Sequence, residues 1–204
     1  MNTVSASLAE YVEAQILPRY DSFDAAHRRD HADMVMERSL ALARGREVRP
    51  DMVYAIAAYH DTGLVEGREV HHLVSGSIVR ADARLLEWFT PEEVETMAQA
   101  VEDHRASGKN PPRSIYGMIV AEADRLIDPR MVIRRTIQYG KSHYPDLDKE
   151  GNWLRTVEHL NEKYAEGGYL KLWLPDSPNA APLAELRAII ADPIRLRAVF
   201  EEEF

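Results

Sequence analysis

The apolar run from Met52 to Tyr59 ends abruptly in an ionisable pair, His60-Asp61, within the stretch AAYHDTGL. The run reads as a buried helix, and burying a charge beside it is costly unless the charge is paired or bound to a cation. Imidazole and carboxylate together suit a divalent metal ion. Adjacent helix residues point about 100° apart, so two neighbours cannot complete a coordination shell. Other ligands must arrive from elsewhere, and the candidates are His31, His72, His104 and Asp124. For the dipeptide alone, a capping Asp beside a satisfied core His is the simpler account. The distant partners tip the balance towards a metal.

The supporting helices follow from spacing and punctuation. Leu8, Val12 and Ile16 recur at helical intervals over Ser5 to Leu17, and Pro18 is expected to stop them. Asp24 can cap the next helix, which carries His31 and the stripe Met34, Val35, Leu40 and Leu42, and Gly45 ends it. Pro50 opens the helix that finishes at His60-Asp61. A polar loop, LVEGREVHH, leads to a helix expected over Leu73 to Trp88. Thr90-Pro91-Glu92-Glu93 is a capping box with Pro at N1, and its helix should run to His104. Further helices are expected over Ser114 to Ile127, from Asp128-Pro129 through Gln138, over Trp153 to Ala165, over Ala181 to Ala191, and from Pro193 to Phe204 behind an Asp192 cap. YLKLWL reads as a short strand or an extended arm. The chain is all-α.

At 204 residues and 45% hydrophobic, the chain can bury one good core, so a single domain spanning 1–204 is expected. A small C-terminal extension fits within that length. A net charge of −9 disfavours a nucleic-acid polymer or an anionic membrane as partner. A small phosphorylated substrate stays compatible, because a local Arg and metal cluster can override the global field. With no cysteine, thiol catalysis and zinc knuckles are excluded, and any metal must be held by His and carboxylate. The N-terminus lacks a basic, then apolar, signal pattern, so a cytoplasmic protein is the expectation. Trp88, Phe89 and Tyr116 read as core. The aromatic region around Trp173 reads as core packing before pocket cover or subunit contact, which leaves a homodimer open.

Three stretches in order, HRRDHADMV around His31, AAYHDTGL around His60-Asp61 and IVAEADRLIDP around Asp124, resemble the HD-domain superfamily of metal-dependent phosphohydrolases. AVEDHRASG is similar to the intervening helix that ends in His in many members. The resemblance covers roughly 24–130 and implies an HD-type helical bundle as the core over about 24–130, with a C-terminal helical tail over about 131–204. It implies that His31, His60, Asp61 and Asp124 ligate a divalent ion (Mn, Fe, Mg, Ni or Zn), one or two per chain. His72 and His104 match positions that hold a second metal in binuclear members and face the substrate phosphate in others. His71 can replace His72 in that match; His72 is preferred because it lies nearer the helix proper. One departure is Leu64, where many members have Lys after the HD-x-G turn. Phosphate binding would then pass to Arg68 or Arg105, with Lys109 a further candidate.

The bottom-up chemistry agrees with what the resemblance implies. A metal acidifies bound water and polarises a phosphoryl oxygen, and phosphoryl transfer then needs mainly positioning and charge neutralisation. Guanidinium groups suit phosphate because they meet two oxygens at once. Asp61 anchors the site, and Glu66, Glu69 or His104 can protonate the leaving oxygen; a solvated loop is the plainer reading of Arg68, Glu66 and Glu69. AVEDHRASG followed by IVAEADRLIDP is also similar to segments of HD-type symmetrical diadenosine tetraphosphate hydrolases, which implies a dinucleoside polyphosphate as one substrate. Nucleoside monophosphates and alarmones are the other nucleotide candidates. The alternatives in other classes are a non-catalytic metal- and nucleotide-binding module and a binuclear-iron oxygenase on the same scaffold.

Overall fold

The computed structural model describes residues 4–23, 27–108 and 110–204. Among them lie ten α-helices, joined by π-helical and 3-10 turns, and no strand. Asp24 and Lys109 fall outside the described residues. The chain's contacts divide it into two compact units, Met1–Asp124 and Arg125–Phe204. The stretch read as a helical tail therefore carries a core of its own. No helix among the described residues is long and apolar enough to cross a membrane.

The first unit contains α1 (Ala6–Tyr11), α2 (Arg29–Ala43), α3 (Pro50–Tyr59), α4 (His71–Ala81), α5 (Pro91–Glu102) and α6 (Ile115–Ala123). The central element is α3, in which every residue from Met52 to Tyr59 except Tyr54 is buried. It packs against α2, α5 and α6. Pro18 does not stop the N-terminal helix. The chain continues through a π-helical turn, Val12–Ile16, and a 3-10 turn, Leu17–Ser22, with Pro18 near the start of the latter. This keeps Leu8, Val12, Ile16, Leu17 and Tyr20 all in the core.

The helix expected over 73–88 is shorter, and the cause is tertiary. Both Tyr11 and Tyr59 donate their hydroxyls to Asp82 Oδ2 at 2.5 Å. Asp82 adopts an extended conformation and caps a 3-10 turn, Ala83–Glu87, by accepting from Arg84 N–H. The capping box at Thr90 and Glu93 forms in full. Helices α5 and α6 stop at Glu102 and Ala123, one or two residues short of His104 and Asp124.

The second unit holds α7 (Pro129–His143), α8 (Lys149–Tyr164), α9 (Ala180–Ala191) and α10 (Pro193–Glu203). Its core gathers Ile133, Ile137, Leu160, Leu186, Leu196 and Phe200. Asp128, Asp148 and Asp192 each accept main-chain N–H groups at the starts of α7, α8 and α10, which satisfies donors a helix start leaves open. Residues 170–173 form neither helix nor strand, so the strand expected for YLKLWL is absent, and Leu170 and Leu174 are buried.

One close approach positions the candidate site. Gly63, just past His60-Asp61, donates its N–H to Ser75 Oγ at 2.8 Å and lies against the first turns of α4. A Cβ there would meet His71 O at 2.2 Å and Ser75 N at 2.5 Å, both main-chain atoms that cannot swing away. Gly63→Ala should therefore push α4 from the turn and destabilise the protein by about 1–3 kcal/mol. A denaturant midpoint equal to wild type would show that α4 can shift freely.

Candidate metal centre

Six potential ligands from five helix ends meet in the first unit. They form two triads, His31, His60 and Asp124, and Asp61, His71 and His104, with the donor atoms of each within 4.8 Å of one another. Asp61 links them. Its Oδ2 lies 3.3 Å from His60 Nε2 and 3.6 Å from His31 Nε2. Its Oδ1 lies 3.4 Å from both His71 Nε2 and His104 Nε2. Asp124 Oδ1 is 3.2 Å from His31 Nε2. The floor, His60 and His104, is sealed, whereas side-chain exposures of 17% at His31 and 26% at Asp124 leave the centre accessible on that side.

The local sequence explains how the rings are aimed. His60 Nδ1 faces Ala57 O at 2.7 Å, His104 Nδ1 faces Val101 O at 2.5 Å and His71 Nδ1 faces Arg68 O at 2.7 Å. Each contact runs three residues back along the chain. A carbonyl can only accept, so each Nδ1 carries its proton and each neutral ring presents a bare Nε2 lone pair. Yet His71 Nε2 stands 3.1 Å from His104 Nε2, and His31 Nε2 3.2 Å from His60 Nε2. Acceptors this close repel unless a cation sits among them. Donors bonded to one ion at about 2.0–2.2 Å lie roughly 3–3.5 Å apart, matching these separations. The two triads, with Asp61 between them, offer donor sets that fit a divalent cation.

The fold brings some of the sequence candidates together and sets others aside. His31, His60, Asp61, Asp124 and His104 converge. His71, not His72, completes the second triad, so the preference for His72 is corrected. The helix α4 starts at His71 itself, and its inward face carries His71 and Ser75 while His72 turns aside with a buried, unpartnered Nδ1. Glu66 and Glu69 are exposed and belong to neither triad. Arg105 Nη1 donates to Glu69 O at 2.6 Å, and Arg68 Nη2 lies 3.1 Å from the His27 ring nitrogens. His104 Nδ1 is committed to the Val101 carbonyl, and its Nε2 lies 3.1 Å from His71 Nε2 and 3.4 Å from Asp61 Oδ1. Sequence reasoning missed Arg38, which lies two turns after His31 on α2 and donates to Ala123 O at 2.9 Å, anchoring the end of α6 that presents Asp124.

The fold is thus an all-helical bundle that gathers His, His-Asp and Asp donors at its helix ends in groups able to hold a metal ion. Residues 28–127 match the family model of the HD domain, which places this segment in the HD-domain superfamily; most of its members are metal-dependent phosphohydrolases and some are not hydrolases. Neither a curated protein nor a solved structure matches the chain.

The ionisation of the cluster follows from burial and the charges packed within it. Burial resists ionisation of Asp61, but the charge of His60 and the proximity of His104 outweigh it and hold the carboxyl well below its usual range. Burial likewise opposes Asp124, yet the His31 hydrogen bond and the His60 charge bring it to about 2. His31 and His60 are raised: burial disfavours their charge, but Asp124 and Asp61 outweigh it. His71 is lowered by burial and the His104 charge, and His72 falls to about 4 through burial and Arg105.

Elemental analysis should find about two divalent ions per chain in wild type. His71→Ala should lose about half of them, Asp61→Ala nearly all and His72→Ala none; equal loss in His71→Ala and His72→Ala contradicts the assignment. In the metal-free protein, His31 and His60 bind protons more tightly folded than unfolded, so stability falls as pH rises above about 6.5. His71 and His72 bind them less tightly when folded, so stability also falls as pH drops from about 6.5 towards 4. Melting temperature in chelator should therefore peak near pH 6.5, and a steady rise from pH 6 to 8 would contradict the charge assignment.

Proposed function

We propose that the protein is a metal-dependent phosphohydrolase acting on a nucleotide or another small phosphate ester. The observation that carries this reading is the Asp61 carboxylate with one oxygen in reach of His31 and His60 and the other in reach of His71 and His104. When bound, divalent ions would supply an acidified water and draw charge from a phosphoryl oxygen. The chain's own residues do the rest. His60, His71 and His104, locked through Nδ1, keep their Nε2 atoms inward without reorganisation, which is what electrostatic preorganisation requires. Asp61 stays ionised despite burial, so its carboxylate is available at neutral pH.

The cations on the loop after His60-Asp61 and on the turn after α5 favour a phosphorylated substrate. Arg105 uses Nη1 to hold the Glu69 carbonyl, which ties it to the 67–70 loop. A guanidinium has five donors, so it keeps others for phosphate oxygens. Arg68, on the same loop, is the second proposed clamp. Glu66 and Glu69 are the proposed proton sources for the leaving oxygen, because both are exposed while His104 is buried within the ligand cluster. The same six donors also suit a pair of iron ions for oxygen-dependent oxidation, a reading that neither arginine supports.

The test is turnover of the Mn-loaded protein on nucleoside monophosphates, dinucleoside polyphosphates and alarmones, against aerobic oxidation of polyols by the Fe-loaded protein. Phosphate release dependent on metal and on Asp61 supports the proposal; polyol oxidation without phosphate release refutes it. Arg105→Ala should keep its metal and lower kcat/KM roughly 30- to 1,000-fold, or about 2–4 kcal/mol of transition-state stabilisation. Arg105→Lys should recover only part, since it keeps charge but not the planar fork. A lower melting temperature with wild-type kinetics would leave Arg105 as a loop anchor alone.

A further inference from the structure

Tyr20 is wholly buried and lies ahead of the matched segment, 28–127. Its hydroxyl reaches the point where α3 gives way to the turn that presents Asp61. In a continuing α-helix the Asp61 N–H would donate to Ala57 O, four residues back. Ala57 O instead receives the His60 ring proton at 2.7 Å. The Asp61 N–H turns to Tyr20 Oη at 3.3 Å, and the Tyr20 hydroxyl donates to Ala58 O at 2.9 Å. One hydroxyl thus accepts from Asp61 and donates to α3, replacing the rung that His60 removed.

We propose that Tyr20 is a positioning residue for the metal centre, splicing the end of α3 so that Asp61 leaves the turn with one carboxylate oxygen facing each triad. The inference rests on the metal-centre reading above. Asp61 has left helical geometry, with φ −108° and ψ 6°, and its carbonyl starts the next turn by accepting from Leu64 N–H at 3.0 Å. Its main chain is therefore held by Tyr20 on one side and by Leu64 on the other. Any rotation there moves both oxygens at once, and so disturbs both triads. Burial around Tyr20 leaves water no easy route to stand in for the hydroxyl, and a Phe ring would orphan a main-chain donor and acceptor.

Tyr11 supplies a matched control. It belongs to the same N-terminal segment and also uses its hydroxyl, but towards Asp82 and away from the metal centre. Calorimetric titration of Mn²⁺ into the metal-free protein should show affinity weakened about 10- to 100-fold in Tyr20→Phe, the usual cost of losing a group that orients a ligand. Tyr11→Phe should melt earlier yet bind Mn²⁺ as wild type does. Wild-type affinity in Tyr20→Phe, or equal weakening in Tyr11→Phe, overturns the inference. A wild-type protein that binds no Mn²⁺ refutes the metal centre itself, and the inference with it. If Tyr20→Phe does not fold, amide exchange in metal-free wild type decides. Protection of Asp61 N–H comparable to the core of α3 supports the splice, whereas exchange at a loop rate refutes it.

Discussion

Three imidazoles that have each committed a proton to a backbone carbonyl bring bare lone pairs onto one buried carboxylate. Everything facing the centre of the cluster is then an acceptor, at separations near 3.1–3.6 Å. Such an arrangement persists only around positive charge. Without metal, His31 and His60 keep protons above their ordinary pKa to supply it. Divalent ions would supply it more strongly, with Asp61 and Asp124 as the anionic partners. The packing of the first unit serves this one electrostatic requirement.

Helix ends suit that requirement for a backbone reason. The last carbonyls of a helix lack intrahelical donors. His60 and His104 each sit just beyond a helix and turn back onto such a carbonyl, Ala57 or Val101. His71 does the same with Arg68 at the start of α4. In a helix interior those carbonyls would already accept main-chain N–H groups, and the rings would lack a fixed tautomer. Asp124 follows the end of α6, whose last helical carbonyl is held by Arg38. Rigid helices thus aim the ligands, and their termini lock them.

The second unit is stabilised on its own terms. Its apolar core is closed by Trp153 stacked edge-on against Phe200, with ring centroids 5.3 Å apart. Arg130 and Arg134 on α7 pair with Glu202 and Glu203 on α10. These pairs are largely exposed on the arginine side, so they fix register more than they add stability. Asp128 and Asp192 at helix starts do comparable work, each satisfying main-chain donors that would otherwise be lost.

Much of this was legible in the chain itself. The buried run of α3, the ordered His31, His60-Asp61 and Asp124 pattern, and the capping box at Thr90 all depend on local periodicity or short-range hydrogen bonds. The choice between His71 and His72 did not: neighbours on a helix differ by about 100°, and where α4 begins is set by a 3-10 turn and by the contact of Gly63 with its first residues. The break after Ala81 was equally hidden, because Asp82 is drawn by hydroxyls of Tyr11 and Tyr59 from distant parts of the chain. Tyr20 carried no motif at all. Sequence determined which groups could bind a cation, since that is a property of residue type and order. Tertiary structure decided which of them face it, because a ligand's direction depends on main-chain turns and on partners far away in the chain.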